Sequence, residues 1–162
     1  MNKQRIIDLI DSIQNPHGKY CGNELYYLAQ VLDWDNYSDK EPFTIRFERE
    51  FAKKVGAEFA IGHNSGTSTL HSCLAAASIG SGDEVITPAF ANPWSAACVL
   101  QLGATPIFAD CDPRSLNMDA KDVGVKITPK TKAIIASHTY GNPVGIEALS
   151  KVAQEQEVPL IE

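Results

Sequence analysis

From residue 58 onward the sequence alternates between short apolar runs and helix-like stretches, and this rhythm limits the fold more than any other feature. Apolar runs begin near Glu58, Glu84, Thr105, Lys132 and Val158, and helix-like stretches begin near Gly66, Pro93, Asp119 and Ile146. The run starts are roughly 20–27 residues apart, close to the ~30 of a strand–helix–strand unit. Connections of that length favour parallel strands joined by right-handed crossovers. Phe59-Ala60-Ile61, Val85-Ile86, Ile107-Phe108-Ala109 and Ala133-Ile134-Ile135-Ala136 are continuous apolar runs, not alternating ones. Strands covered on both faces have this pattern. The fold class expected is therefore α/β, three layers around a mostly parallel sheet.

The first third has a different period. Residues 2–13 place Ile6, Leu9, Ile10 and Ile13 on one helical stripe, and Asn15-Pro16-His17-Gly18 breaks it. Asn23 can cap a second helix running to about Leu32, followed by a polar loop over residues 33–42. Thr44 can cap a third helix, with Phe47, Phe51 and Val55 as its inner face and Gly56 as its stop. This divides the chain into a helical segment, residues 1–56, and an α/β part, residues 57–162. The last residues, Val158-Pro159-Leu160-Ile161-Glu162, have the character of a strand entering a sheet. Domains usually end at the surface after a completed element, so the expectation is a larger domain cut short.

Several function classes are excluded by composition. No apolar run reaches the ~20 residues of a membrane helix. Asp8 and Asp11 interrupt the only apolar stretch near the start, which is unlike a signal peptide and leaves the cytoplasm as the expected compartment. The net charge is −6, and Lys53-Lys54 is the longest basic run, so there is no basic face for nucleic acid. Cys21, Cys73, Cys98 and Cys111 form no C-x-x-C pair and have no zinc spacing with histidine, so no metal site is expected. Cys73 and Cys98 lie in small apolar segments and are expected in the core.

Ligands of open α/β sheets bind at the carboxyl ends of the strands, and three loops there are chemically loaded. In Gly62-His63-Asn64-Ser65-Gly66-Thr67-Ser68-Thr69, small residues precede a helix start. Free amides and the helix dipole favour a phosphate there, and the hydroxyls of Ser65, Thr67, Ser68 and Thr69 add donors. The spacing matches neither of the common nucleotide loops, and the plain alternative is a helix cap without ligand. In the second loop Asn92-Pro93 is a helix start, and Phe90 and Trp94 can wall a planar ligand or serve as core aromatics. In the third, His138 and Tyr140 can face the same cleft.

Six segments in register resemble the DegT/DnrJ/EryC1/StrS family of pyridoxal-phosphate (PLP) sugar aminotransferases and dehydratases. They begin with Pro-Phe-Thr-Ile-Arg-Phe-Glu at 42–48 and Asn-Ser-Gly-Thr-Ser-Thr-Leu at 64–70. Next come Gly-Ser-Gly-Asp-Glu-Val-Ile-Thr-Pro-Ala-Phe at 80–90 and Leu-Gly-Ala-Thr-Pro-Ile-Phe-Ala-Asp at 102–110. The last are Ile-Thr-Pro-Lys-Thr-Lys-Ala-Ile at 127–134 and His-Thr-Tyr-Gly-Asn-Pro at 138–143. The likeness covers roughly residues 20–162.

The resemblance implies the large domain of the type I PLP aminotransferase fold, incomplete at its C-terminus, with a small C-terminal domain that this chain lacks. It also implies a homodimer with active sites at the subunit interface. It assigns Ser65, Gly66 and Thr67 to the PLP phosphate. Asn92 falls where many relatives carry an aromatic ring over the pyridine, a contact that Trp94 could replace, and His138 and Tyr140 fall on the substrate side. The family's pyridine-pairing aspartate and Schiff-base lysine would lie beyond Glu162, so no catalytic residue is assigned within this chain. The activity implied is transfer of an amino group from glutamate or glutamine to a keto nucleotide sugar, for sugar and polysaccharide biosynthesis. The alternatives are a PLP-dependent sugar dehydratase, with histidine in the lysine's place, and a non-catalytic remnant or phosphate-binding module.

Overall fold

Gly56 stops the first described helix, as expected, because it can adopt the left-handed conformation that closes a helix end. In the computed structural model the described residues are 41–162 and Val31. The helix expected over residues 2–13, all of the 23–32 helix but Val31, nearly all of the 33–42 loop, and Cys21 lie outside them. The chain divides into two compact units, Met1–Gly62 and His63–Glu162.

In the first unit, α1 spans Phe43–Val55 and ends at Gly56, whose φ is 72°. Ala57 N–H donates to the Ala52 carbonyl at 3.0 Å, closing the last turn. Thr44 does not cap this helix. The cap lies two residues earlier, at Pro42, with no side-chain bond from it. The stripe of Phe47, Phe51 and Val55 is helical in period but exposed, and Ala52 is the buried residue. A period says that residues share a face; only the packing says which way the face points. The strand expected at Phe59–Ile61 is not formed either. Phe59 and Ile61 are each 75% exposed, and no ladder partner for the segment exists among the described residues. A three-residue apolar run becomes a strand only when a neighbour completes its hydrogen bonds. Gly62 N–H instead donates to Glu48 Oε1 at 2.7 Å.

The second unit carries the expected α/β pattern. Four parallel strands, β1 (Glu84–Pro88), β2 (Thr105–Ala109), β3 (Thr131–Ile135) and β4 (Leu160–Ile161), lie in the order β2-β1-β3-β4. Helix α2 (Gly66–Ala76) precedes β1, and α3 (Trp94–Gln101), α4 (Ala120–Lys126) and α5 (Ile146–Glu155) connect the strands. Successive residues of β1 face opposite layers. Val85 packs with Leu74, Cys98 and Val99 from α2 and α3. Ile86 packs with Val123, Leu149 and Ala153 from α4 and α5. The three layers are therefore helices, sheet, helices. Each fully buried aliphatic side chain contributes roughly 1.5–3 kcal/mol to holding them together. Cys98 is buried as expected, but Cys73 is exposed, because Leu70 and Leu74, one turn apart, form the inward stripe of α2. No helix among the described residues is long and apolar enough to cross a membrane.

The two edges of the sheet differ. Thr105 N–H donates to the Asp83 carbonyl (2.9 Å) and the Ala109 carbonyl accepts from Ala89 N–H (2.8 Å). Thr105, Ile107 and Ala109 thus face β1, and Pro106, Phe108 and Asp110 face outward. Pro106 has no N–H to offer. Lys126 Nζ donates to the outward Phe108 carbonyl at 2.8 Å, and Asp122 Oδ2 accepts from the outward Asp110 N–H at 2.6 Å. Lys126 and Asp122 also bond each other at 2.6 Å, one turn apart on α4. At the other edge the outward N–H and carbonyl of Leu160 have no hydrogen-bond partner among the described residues.

Candidate functional site

α2 leads into the N-terminal end of β1, so the two run in opposite directions. An 11-residue helix is about 16 Å long, which carries its start back to the carboxyl ends of the strands. Ser65 caps it in an extended conformation (φ −161°, ψ 157°), its Oγ accepting from Ser68 N–H at 3.1 Å. Ser68 Oγ donates to Asn64 Oδ1 at 2.7 Å. Its single proton is thereby used, so in the Ser65–Ser68 hydroxyl contact at 2.8 Å Ser65 is the donor. Thr69 Oγ1 donates back to the Ser65 carbonyl at 3.1 Å. The hydroxyls of Ser65, Ser68 and Thr69, expected as ligand donors, each bond a neighbour within the loop. The amides of Gly66 and Thr67 and the Thr67 hydroxyl have no partner among the described residues. A Cβ placed on Gly66 would meet nothing within 4 Å, so the space above this helix end is open. Cys98 Sγ donates to the Thr67 carbonyl at 3.4 Å and ties α3 to the first turn of α2; burial pushes this thiol's pKa up.

A cleft of about 280 Å³ opens beside the ends of β1 and β3, lined by Phe90, Ala91, Asn92, Ser137, Thr139 and Tyr140. Asn92 Oδ1 accepts from Trp94 N–H at 3.2 Å, and Pro93 already has helical angles (φ −60°, ψ −15°), which is the helix start read from Asn92-Pro93. Trp94 itself is exposed and does not line the cleft. Tyr140 does, and it is 90% exposed with φ 56° and ψ 24°. A side chain held in that left-handed region costs on the order of 1–2 kcal/mol. His138 stands outside the cleft lining, its Nε2 2.8 Å from Glu162 Oε2 across the ends of β3 and β4. Ser65, Gly66 and Thr67 do not line the cleft, and neither does any described lysine. Among the described residues no His, Cys, Asp and Glu cluster could hold a metal ion.

A model of the DegT/DnrJ/EryC1/StrS aminotransferase family matches residues 21–162. The chain belongs to this family. It is 40% identical over 141 residues to the GDP-perosamine synthase of Caulobacter vibrioides, covering 87% of this chain and 38% of that protein. Among solved structures, 3-amino-5-hydroxybenzoic acid synthase superposes with a TM-score of 0.81 at 33% identity, over 88% of this chain and 38% of that one. NtdA from Bacillus subtilis, solved with bound cofactor PMP, superposes with a TM-score of 0.76 at 28% identity, over 84% of this chain and 31% of that one. The chain thus spans well under half the length of these relatives and shares their fold over that part.

One residue of this DegT/DnrJ/EryC1/StrS chain escapes sequence reasoning. Asn117 is 4% exposed in the turn before α4. Its Nδ2 donates to the carbonyls of Asn142 (2.7 Å) and Val144 (2.9 Å), and its Oδ1 accepts from Thr139 N–H (2.9 Å). Its partners are 22 to 27 residues away, so no local motif announces it. The only signal is a polar side chain between apolar Leu116 and Met118, at a position where burial demands partners.

Proposed function

We propose that this chain forms the phosphate cradle and one wall of the cofactor site in a PLP-dependent sugar aminotransferase. In this reading residues 57–162 are the first part of the cofactor-binding domain. The complete protein, a cytoplasmic homodimer with active sites at the subunit interface, moves an amino group from glutamate or glutamine to a keto nucleotide sugar. Similarity to GDP-perosamine synthase supports the sugar substrate, and similarity to a structure holding PMP, the amino form of PLP, supports the cofactor.

The observation that carries the reading is the pair of unpartnered amides, Gly66 and Thr67, at an open helix start. Two aligned donors and the positive end of the helix dipole suit a phosphate. Asn92 Oδ1 is engaged in capping α3, so its Nδ2 is the atom left to face the cleft. That offers a polar donor where many relatives carry an aromatic ring. Phe90 lines the same cleft and is the ring available as a flat wall, while His138 and Tyr140 are assigned to the substrate side. PLP, when bound, supplies the electron sink for amino-group transfer; these residues hold and orient it.

The test removes one amide without breaking the helix. Proline is tolerated at the first helical position, and Ser65 before it is already extended, so Gly66→Pro keeps the fold. Its affinity for pyridoxine 5′-phosphate, which cannot react with lysine, should fall about tenfold, the scale of one hydrogen bond to a charged group. Unchanged affinity by calorimetry would overturn the cradle. The 162-residue chain alone should not transaminate, since no described lysine lines the cleft. A visible absorption band with added PLP, trapped by borohydride on a single lysine of this chain, would contradict that.

A further inference from the structure

We propose that Asn117 is the positioning residue of the cleft: its buried carboxamide holds residues 139–144 in the strained shape that presents Tyr140 to the bound ligand. Both Nδ2 hydrogens and one Oδ1 lone pair are used on this one segment, through Asn142, Val144 and Thr139. The bonds bracket Tyr140, one before it and two after. They also fix which way the amide points, because a flipped group would set Oδ1 against two carbonyl oxygens. Leu116, the preceding residue, adds a fourth tie, its carbonyl accepting from Thr139 Oγ1 at 3.3 Å.

Tyr140 and Gly141 both have positive φ, 56° and 79°. Glycine adopts this freely, but tyrosine keeps it only where its surroundings over-determine the backbone. Asn117 is the surrounding that does so. It is itself braced, because Asp112 N–H donates to the Asn117 carbonyl at 2.9 Å. The Asp112 carboxylate also accepts from the amides of Arg114 (2.9 Å) and Ser115 (3.0 Å), tightening the turn. Asn117 does not line the cleft, and Thr139, which it holds, does.

That Tyr140 meets a ligand rests on the cofactor reading; that Asn117 sets the segment's shape does not, and the experiment separates the two. Residue-by-residue amide exchange is measured on the 162-residue chain, on Asn117→Ala, and on Asn117→Ala combined with Tyr140→Gly. In Asn117→Ala the amides of Gly141 and Asn142 should exchange about tenfold faster, while Ile86 and Ile134 in the sheet stay unchanged. Adding Tyr140→Gly should recover much of the protection, because glycine needs no restraint to stay left-handed. Asn117→Asp keeps the acceptor and loses both donors. It should therefore protect the Thr139 amide while the stretch after Tyr140 loosens, and it serves if the alanine variant does not fold.

Uniform acceleration across sheet and segment, or no acceleration, would overturn the proposal, and so would a Tyr140→Gly that restores nothing. In the ligand arm, pyridoxine 5′-phosphate should bind Asn117→Ala about tenfold more weakly, with inorganic phosphate binding unchanged. Equal binding of pyridoxine 5′-phosphate despite a loosened segment would sink the positioning role. If the unmodified chain binds no pyridoxine 5′-phosphate, the cofactor reading fails, and the exchange result still decides Asn117.

Discussion

The two loops at the candidate site are held in opposite ways. The loop before α2 is built from its own neighbours, with Asn64, Ser65, Ser68 and Thr69 bonded to one another within four residues. It is unstrained and leaves two amides free. The segment after β3 has local bonds too, such as Gly141 N–H to the His138 carbonyl, but it carries Tyr140 in a left-handed conformation and is also tied to Asn117 more than 20 residues upstream. A phosphate site needs only a helix end, which local chemistry can build. A wall that presents a side chain at a set angle needs support from elsewhere in the fold.

The sharpest way to break this contrast is to remove one support from each loop. Asn117→Ala leaves a buried amide and two carbonyls unmatched, and should lower the stability of the chain by about 2–3 kcal/mol in urea denaturation. Ser65→Ala loses one cap bond and should lower it by about 1 kcal/mol. Equal losses would mean that the two loops are held alike. A smaller effect tests the strain itself. Tyr140→Gly should raise stability by about 0.5–1 kcal/mol in the same measurement, since glycine relieves the backbone but adds freedom to the unfolded chain; a loss would show that the tyrosine ring, not the backbone, matters there.

The smallest effect is one of pH. The amides of Ser115 and then Arg114 hold the Asp112 carboxyl below the ordinary carboxylate range. Because the folded value is the lower one, ionised Asp112 favours the folded turn at any pH above the usual aspartate value near 3.9. That contribution fades as the pH falls through the depressed folded value. The stability gap between the unmodified chain and Asp112→Asn should therefore narrow below about pH 4. The gap to Ser65→Ala should stay constant, because no carboxylate holds that loop.

The same contrast explains what could be read from the residues alone. Strand spacing, the Gly56 stop, the helix start near Asp119 and the Asn92-Pro93 helix start act over a few residues, and each appears where local chemistry puts it. The open helix start at Gly66 and Thr67 was legible for the same reason, and the cofactor proposed for it comes from the resemblance of whole segments. The outward stripe of α1, the unpaired Phe59–Ile61 run and exposed Cys73 were not legible, because each depends on what lies across from it. Asn117 was hidden for that reason too: nothing within its own turn says which backbone it will hold.

The outer side of β2 has a consequence for assembly. With Pro106 lacking a donor, and with Lys126 and Asp122 occupying the Phe108 carbonyl and the Asp110 amide, that side of the sheet is poorly matched to an incoming strand. At the other edge the N–H and carbonyl of Leu160 are both left without a partner among the described residues, a matched pair for a strand arriving from elsewhere. The sheet therefore has a built-in direction of growth, and α4 acts as the selvedge that keeps stray chains from joining on the wrong side.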